Sequence, residues 1–188
     1  METHVSPLDT AARSTREMHI LPDAIISKLR SYGAVSWSAA VEPLATDDDV
    51  TINVPESDSR GNRRNSVPRH FAGVRIDKGG QVSAWTTLAK ADIGSVVTDK
   101  ELTAAIGDQL RIIGTIGVLA GERFAVSVGL GDSTMISTGS SSAMSLGFGS
   151  NEPVRIHPDK SVSAAAFDVA ADEVARGLAA RLMRTITR

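Results

Sequence analysis

Residues 71–88 carry the clearest structural signal in the sequence: Phe71-Ala-Gly-Val-Arg-Ile76, Asp77-Lys-Gly-Gly80 and Gln81-Val-Ser-Ala-Trp-Thr-Thr-Leu88. Two apolar runs flank a turn that contains a pair of glycines. Glycine supplies the positive φ angles that a tight hairpin turn requires. The stretch therefore predicts a β-hairpin, and the neighbouring elements can be placed around it.

Two long helices are predicted after this hairpin. The first begins at a capping box, Thr98-Asp-Lys-Glu101, in which the threonine oxygen accepts the N3 amide and the glutamate reaches back to the cap. Its apolar residues keep to one face: Leu102, Ile106, Leu110, Ile113 and Gly117. The second covers the C-terminus, where apolar residues recur at a spacing of four: Val174, Leu178, Leu182 and Ile186. One apolar face per helix is typical of helices that lie on a sheet.

Shorter elements are predicted along the rest of the chain. A short helix is expected at Pro22–Arg30, with the proline in its first turn. Alternation of apolar and polar residues predicts strands. Such strands are expected at 35–41, where Pro43 ends the run, and at 50–54, 124–130 and 153–157.

These elements predict an α+β fold. Strands joined by hairpins, together with two long helices, indicate a two-layer sandwich with a mostly antiparallel sheet of about five strands covered by the helices. Residues 1–18 show no sustained period and are expected to form a flexible N-terminus. Residues 19–188 are expected to form a single domain with long loops at 45–70 and 131–152.

The composition excludes several classes of protein. The 188 residues are 41% hydrophobic and 22% charged, which is ordinary for a globular chain. Twenty Lys and Arg against 22 Asp and Glu give no overall basic excess, so any nucleic-acid contact must be local. The absence of cysteine removes disulfides and thiolate nucleophiles. Because neither an export signal nor a membrane-spanning apolar run is found, we expect a cytoplasmic protein without membrane contact.

One stretch concentrates positive charge in the sequence. Arg60, Arg63, Arg64 and Arg69 precede His70, and no acidic residue lies between them. Planar guanidinium groups pair with phosphates in a bidentate manner, so these four arginines are a candidate nucleic-acid site. The alternative is a solvated loop that keeps the edge of the hairpin soluble. No aromatic residue is interleaved to stack on bases.

A glycine-rich turn after the predicted 124–130 strand is a candidate phosphate site. Backbone amides near Gly129, Gly131, Ser133 and Thr134 could face an anion, although no nucleotide-binding pattern is completed and a mobile loop is the alternative. The four histidines are scattered without the spacing of a metal site, and no general base accompanies the serines at 139–142. We therefore expect no catalytic residue, no metal and no cofactor.

Several elements, taken in order, carry a resemblance to a known family. They are the Tyr32-Gly33 entry to a strand ending at Pro43, the hairpin, the 101–117 helix, the 126–130 strand and the arginine-ended C-terminal helix. In this order they resemble the C-terminal region of actinobacterial proteins that carry an N-terminal Schlafen/AlbA-type ATP- or nucleic-acid-binding domain. The resemblance covers roughly residues 20–188 and includes no catalytic motif. It implies an accessory domain, without the activity of a Schlafen/AlbA-type domain that is not in this sequence.

The sequence as a whole favours a non-catalytic interaction or regulatory module that associates with itself or with another protein. Two alternatives stay open. One is local binding of nucleic acid through the arginine stretch, and the other is binding of a phosphate ligand through the Gly/Ser loop at 129–150.

Overall fold

A computed structural model describes residues 1–9, 11–54, 71–87, 95–131, 136–138, 145–147 and 153–186. These residues form an α+β fold with an open antiparallel sheet and four helices. The helices are α1 (Thr15–Tyr32), α2 (Asp99–Thr115), α3 (Ala166–Val169) and α4 (Ala171–Ile186). The strands are β1 (Glu2–Pro7), β2 (Pro43–Ala45), β3 (Asp49–Asn53), β4 (Phe71–Asp77), β5 (Val82–Thr86), β6 (Ser95–Val97), β7 (Arg123–Leu130), β8 (Ile136–Thr138), β9 (Ser145–Gly147), β10 (Val154–Ile156) and β11 (Ser161–Ser163).

The main sheet is antiparallel throughout. Its strand order is β10-β7-β1-β5-β4-β3-β2, and β11 also pairs with β7. A second, small sheet has the order β6-β8-β9, in which β6 and β8 run parallel. The α+β class and the antiparallel sheet are thus confirmed. The count of about five strands is wrong because eight strands pair in the main sheet. The count of two long helices is also wrong, since α1 extends over 18 residues beside the two predicted ones.

The N-terminal segment forms a central strand, so the prediction of a flexible terminus over residues 1–18 is wrong. β1 pairs with β5 from Glu2 to Val5 and with β7 from Glu2 to Pro7. Its inward side chains are Val5 and Thr3, and both are fully buried. The Thr3 hydroxyl donates a hydrogen bond to the side-chain oxygen of Gln109 on α2. Because only one inward residue is apolar, the strand shows almost no hydrophobic alternation in the sequence.

Helix α1 begins earlier than the predicted Pro22–Arg30 helix. Its start is a second capping box: the Ser14 amide donates to Glu17 Oε2 at 2.7 Å, and the Glu17 amide donates to Ser14 Oγ at 3.3 Å. Pro22 consequently lies inside the helix and not in its first turn. Gly33 ends α1 with a φ of 83°, in the left-handed conformation that favours glycine.

The strand predicted at 35–41 is absent, because local hydrogen bonds turn the chain there. The Ala39 amide donates to the Ser36 carbonyl at 3.1 Å, and the Ser38 amide donates to Ser36 Oγ at 3.3 Å. Serine side chains that bond nearby backbone groups compete with strand pairing. Trp37 is 70% exposed, and the guanidinium of Arg30 lies 5.8 Å from the centre of its ring.

The remaining predicted helices and strands agree with the structure, whereas the predicted loops do not agree throughout. The hairpin is β4 and β5, the capping box of Thr98 and Glu101 begins α2, and α4 covers the C-terminus. The predicted strands at 50–54, 124–130 and 153–157 correspond to β3, β7 and β10. The loop predicted at 131–152 contains β8 and β9, and residues 55–70 of the other predicted loop lie outside the described residues.

One face of the main sheet carries the helices and the core. α1 packs on β3, α2 on β1 and β5, and α4 on β7 and β10. The sheet contributes the alternate, buried residues of each strand to this face: Val5, Val50, Ile52, Val74, Ile76, Val82, Ala84, Phe124, Val126 and Val128. The residues that alternate with this buried set lie on the opposite face of the sheet. An ion pair also joins two of the helices: Arg111 Nη2 on α2 lies 2.6 Å from Asp172 Oδ1 on α4.

Replacing Gly73 with alanine is expected to lower the free energy of unfolding by about 1–3 kcal/mol, the usual cost of overpacking. The added Cβ would lie 2.5 Å from the Ile52 carbonyl oxygen and 2.7 Å from Cε2 of Trp85. The matched control is Gly177→Ala on the exposed side of α4, where nothing lies within 4 Å. That control should raise the same free energy by about 0.5–1 kcal/mol. Urea unfolding followed by circular dichroism measures both, and a Gly73→Ala protein as stable as the wild type would contradict the packing of Trp85.

Candidate functional site

Polar side chains collect on the face of the main sheet that does not carry the helices, which we call the open face. On β1 this face carries Glu2, His4 and Ser6, which alternate with the buried Thr3 and Val5. The face contains a depression of about 500 Å³. Side chains from β1, β3, β4 and β5, together with Gln81 just before β5, line it: Glu2, His4, Thr51, Arg75, Asp77, Gln81, Ser83 and Trp85.

Hydrogen bonds between side chains hold the floor of the depression. Nδ1 of His4 lies 2.8 Å from Oγ of Ser83, a residue that is only 8% exposed. Nε2 of Gln81 donates to the same oxygen at 3.3 Å, and Oε1 of Gln81 accepts from Oγ of Ser6 at 2.9 Å. Since these groups already have partners, their rotamers are set before any ligand arrives.

The protonation of His4 is affected by this environment. Burial lowers the pKa of the imidazole, the Glu2 carboxylate opposes that shift, and Arg155 adds to it. Nε2 of His4 lies 3.4 Å from Oε2 of Glu2. A pKa below the ordinary value means that His4 is neutral at neutral pH, so it does not cancel the charge of Glu2.

Trp85 and Glu2 lie directly opposite each other on β5 and β1. The indole leans across β4 at Gly73, at a position where any side chain would collide with the ring. Glycine at 73 therefore lets the ring lie against the sheet while Trp85 still lines the depression. The Glu2 side chain is 51% exposed. Among the described residues, neither a lysine nor an arginine lies within ion-pair distance of its carboxylate.

The depression has an excess of negative charge. Arg75 lines it, but Nη2 of Arg75 lies 2.5 Å from Oδ2 of Asp49 on the neighbouring strand. The Asp77 carboxylate accepts the backbone amide of Gln81 at 2.9 Å and, like that of Glu2, has no basic partner in the described part of the chain. Two carboxylates therefore stand against one arginine, and that arginine is already paired with a third carboxylate.

The contacts from Ser83 to His4 to Glu2 raise the question of nucleophilic catalysis. Ser83 lies in the middle of β5, where pairing with β1 and β4 uses the backbone amides. No free pair of amides from the described residues therefore faces its hydroxyl to stabilise an oxyanion. The hydroxyl is also nearly buried. This arrangement suits binding by fixed polar groups better than acyl transfer.

The sequence-predicted site residues lie elsewhere. Arg60, Arg63, Arg64 and Arg69 are outside the described residues, and so are Ser133 and Thr134. Gly129 is buried within β7, opposite Glu2 on one side and Arg155 on the other. Gly131 is exposed just after that strand. Binding of nucleic acid or phosphate at these residues stays a prediction.

The open face itself was not predicted, although its signal is present in the hairpin sequence. Arg75, Asp77, Ser83 and Trp85 are the residues that alternate with the buried apolar ones in β4 and β5. That alternation indicates a shared polar face. The participation of His4 had no such signal, because it depends on a strand that the sequence did not reveal.

The described residues contain no group of three or more His, Asp or Glu side chains placed to hold a metal ion. None of the helices in this part of the chain is both long and apolar enough to cross a membrane.

Comparison with known proteins identifies no relative. No protein-family model matches the chain, and no curated protein or solved structure matches it significantly. The resemblance to the C-terminal region of proteins with a Schlafen/AlbA-type domain therefore stays a prediction.

The lowered pKa of His4 makes a prediction about stability and pH. Because folding lowers this pKa, the unfolded chain binds the proton more readily, so the free energy of unfolding should fall as pH drops below about 6.5. Below the lowered, folded-state pKa this group causes no further loss. Urea unfolding from about pH 8 to pH 5 should show that His4→Gln loses less stability than the wild type. Identical pH dependence in the two proteins would contradict the burial of the imidazole.

Proposed function

We propose that the protein is a non-catalytic interaction module and that a polypeptide partner contacts the open face of its sheet. The observation that carries this proposal is a preorganised polar depression with a tryptophan, on a sheet face that the described helices leave uncovered. The partner is either a second copy of the chain or another protein.

Preorganisation supports a binding role. Ordering long side chains costs free energy on association, and groups that are fixed beforehand avoid that cost. His4, Gln81 and Arg75 are each held by a neighbour on the face. A partner can thus form polar contacts here without first ordering the surface.

The residue types support a protein partner. Tryptophan and arginine are enriched among the residues that dominate the binding energy of protein interfaces. Trp85 and Arg75 line the same depression on neighbouring strands. The outward groups around them, Ser83, Thr51 and Gln81, offer hydrogen-bond donors and acceptors.

The excess negative charge of the depression makes the binding of a polyanion to this face unfavourable. Nucleic acid binds through the release of counterions by lysine and arginine. Within the described residues, Glu2 and Asp77 have no lysine or arginine partner here, whereas Arg75 is paired with Asp49. Nucleic-acid binding through Arg60, Arg63, Arg64 and Arg69 would accordingly require a surface other than the open face.

Site-specific photo-crosslinking in the native host tests the proposal. Thr51, which lines the depression, is replaced with p-benzoylphenylalanine, and the matched control carries the same group at the exposed Arg176 on α4. We expect a discrete protein adduct from position 51 alone, because only that probe lies on the open face. An excess of unlabelled wild-type chain should compete the adduct away.

The mass of the adduct identifies the kind of partner. An adduct of twice the chain mass indicates a second copy, and light scattering on the purified chain should then show a dimer. Any other discrete mass indicates a different protein, to be identified by mass spectrometry. Equal adducts from positions 51 and 176, or none from position 51, would contradict the proposal.

A further inference from the structure

We infer that the polypeptide partner presents an arginine side chain to the open face, where Glu2 and Trp85 bind its guanidinium group. This inference rests on the proposed function and names the chemistry of the partner at one position.

The placement of the two residues matches the two binding modes of a guanidinium group. Glu2 and Trp85 are directly opposite partners of β1 and β5, so their Cβ atoms are about 4.5–5.5 Å apart. Both line the depression. A carboxylate accepts two parallel N–H donors from a guanidinium group, and an aromatic ring attracts and stacks on the same planar cation. The indole leans towards β4, on the side away from Glu2, so one arginine would engage both residues by lying over the β1–β5 pair, with its plane on the ring and its edge on the carboxylate.

The negative charge of the Glu2 carboxylate is available to pair with a cation from a partner. Within the described residues, His4 lies within ion-pair distance of the Glu2 carboxylate, and Nδ1 of that imidazole is already bonded to Ser83. The α-amino group of Met1 also interacts electrostatically with Glu2, but burial lowers the pKa of that amino group, so it is less fully protonated. Arg75 is paired with Asp49. Arg155 is another cation on this face, and its side chain passes close to Gly129, the residue opposite Glu2, but it is not within ion-pair distance of the Glu2 carboxylate. An incoming guanidinium group thus meets a carboxylate that is not paired with any lysine or arginine of the described part of the chain.

Arginine fits this position better than lysine. Its guanidinium group is planar and weakly hydrated, so it can stack on the indole while it pairs with the carboxylate. The ammonium group of lysine is compact and strongly hydrated, and it cannot form the bidentate pair. The adjacent ring and carboxylate therefore select for the planar cation.

Titration of the ¹⁵N-labelled full chain with three blocked amino acids tests the inference by NMR. The probes are N-acetyl-arginine amide, the lysine equivalent and the citrulline equivalent, which keeps the shape of arginine without its charge. We expect the arginine probe to shift the Trp85 indole N–H and the amides of residues 2–5 in a saturable manner. The lysine probe should bind more weakly, and the citrulline probe should leave these signals unchanged. Citrulline shifts as large as those of arginine would overturn the inference.

Glu2→Gln removes the charge while it keeps the size of the side chain. It should raise the dissociation constant for the arginine probe about three- to fivefold, as expected for an ion pair that is half exposed. Glu173→Gln, an exposed position on α4, is the matched control and should bind as the wild type does. Unchanged affinity in Glu2→Gln would overturn the role of the carboxylate.

The crosslinking result separates a failure of this inference from a failure of the proposed function. A specific adduct from position 51, together with unshifted Trp85 and β1 signals, would overturn the arginine inference and leave the interaction module standing. A weaker adduct in a Glu2→Gln background would support both. If position 51 gives no adduct at all, the polypeptide partner is overturned, even if the arginine probe binds.

Discussion

Strand β1 is paired along both of its edges, with β5 on one side and β7 on the other. The strands β2 to β5 form one antiparallel meander, and β7, β10 and β11 form a separate group. Within the described residues, β1 is the element that joins the two groups into one sheet. The packing of α2 also depends on this pairing, because α2 contacts both β1 and β5. Met1 thus has hydrogen-bond partners 85 and 108 positions away, Thr86 and Gln109.

The pairing of β1 also carries a polar side chain into the core. Thr3 is fully buried, and Gln109 on α2 is 2% exposed. Their mutual hydrogen bond satisfies two groups that would otherwise each be costly to bury. The same bond fixes the position of α2 relative to the strand. Since side chains alternate along a strand, fixing Thr3 inward also fixes Glu2 and His4 outward, opposite Trp85 and Ser83. The candidate site is therefore a direct result of the register of one strand.

The sequence revealed the elements that carry their own local signals. The glycine turn of the hairpin, the capping box of Thr98 and Glu101, and the spacing of four in the C-terminal helix each place an element without reference to the rest of the chain. The second capping box, Ser14 with Glu17, carries the same kind of signal and was available in the sequence, although the prediction did not use it. Misassignment occurred where long-range contacts decide the structure. Thr3 is buried only because Gln109 lies above it, and the alternating residues 35–41 do not form a strand because Ser36 bonds its neighbours.

Amide hydrogen exchange of residues 3–6 tests the position of β1 most directly. A central strand that is bonded on both edges should exchange as slowly as the β4–β5 hairpin, because its amides open only when the whole sheet opens. Rapid exchange of residues 3–6, with β5 and β7 still protected, would show a frayed terminus. It would remove Glu2 and His4 from the open face and contradict the central role of this strand.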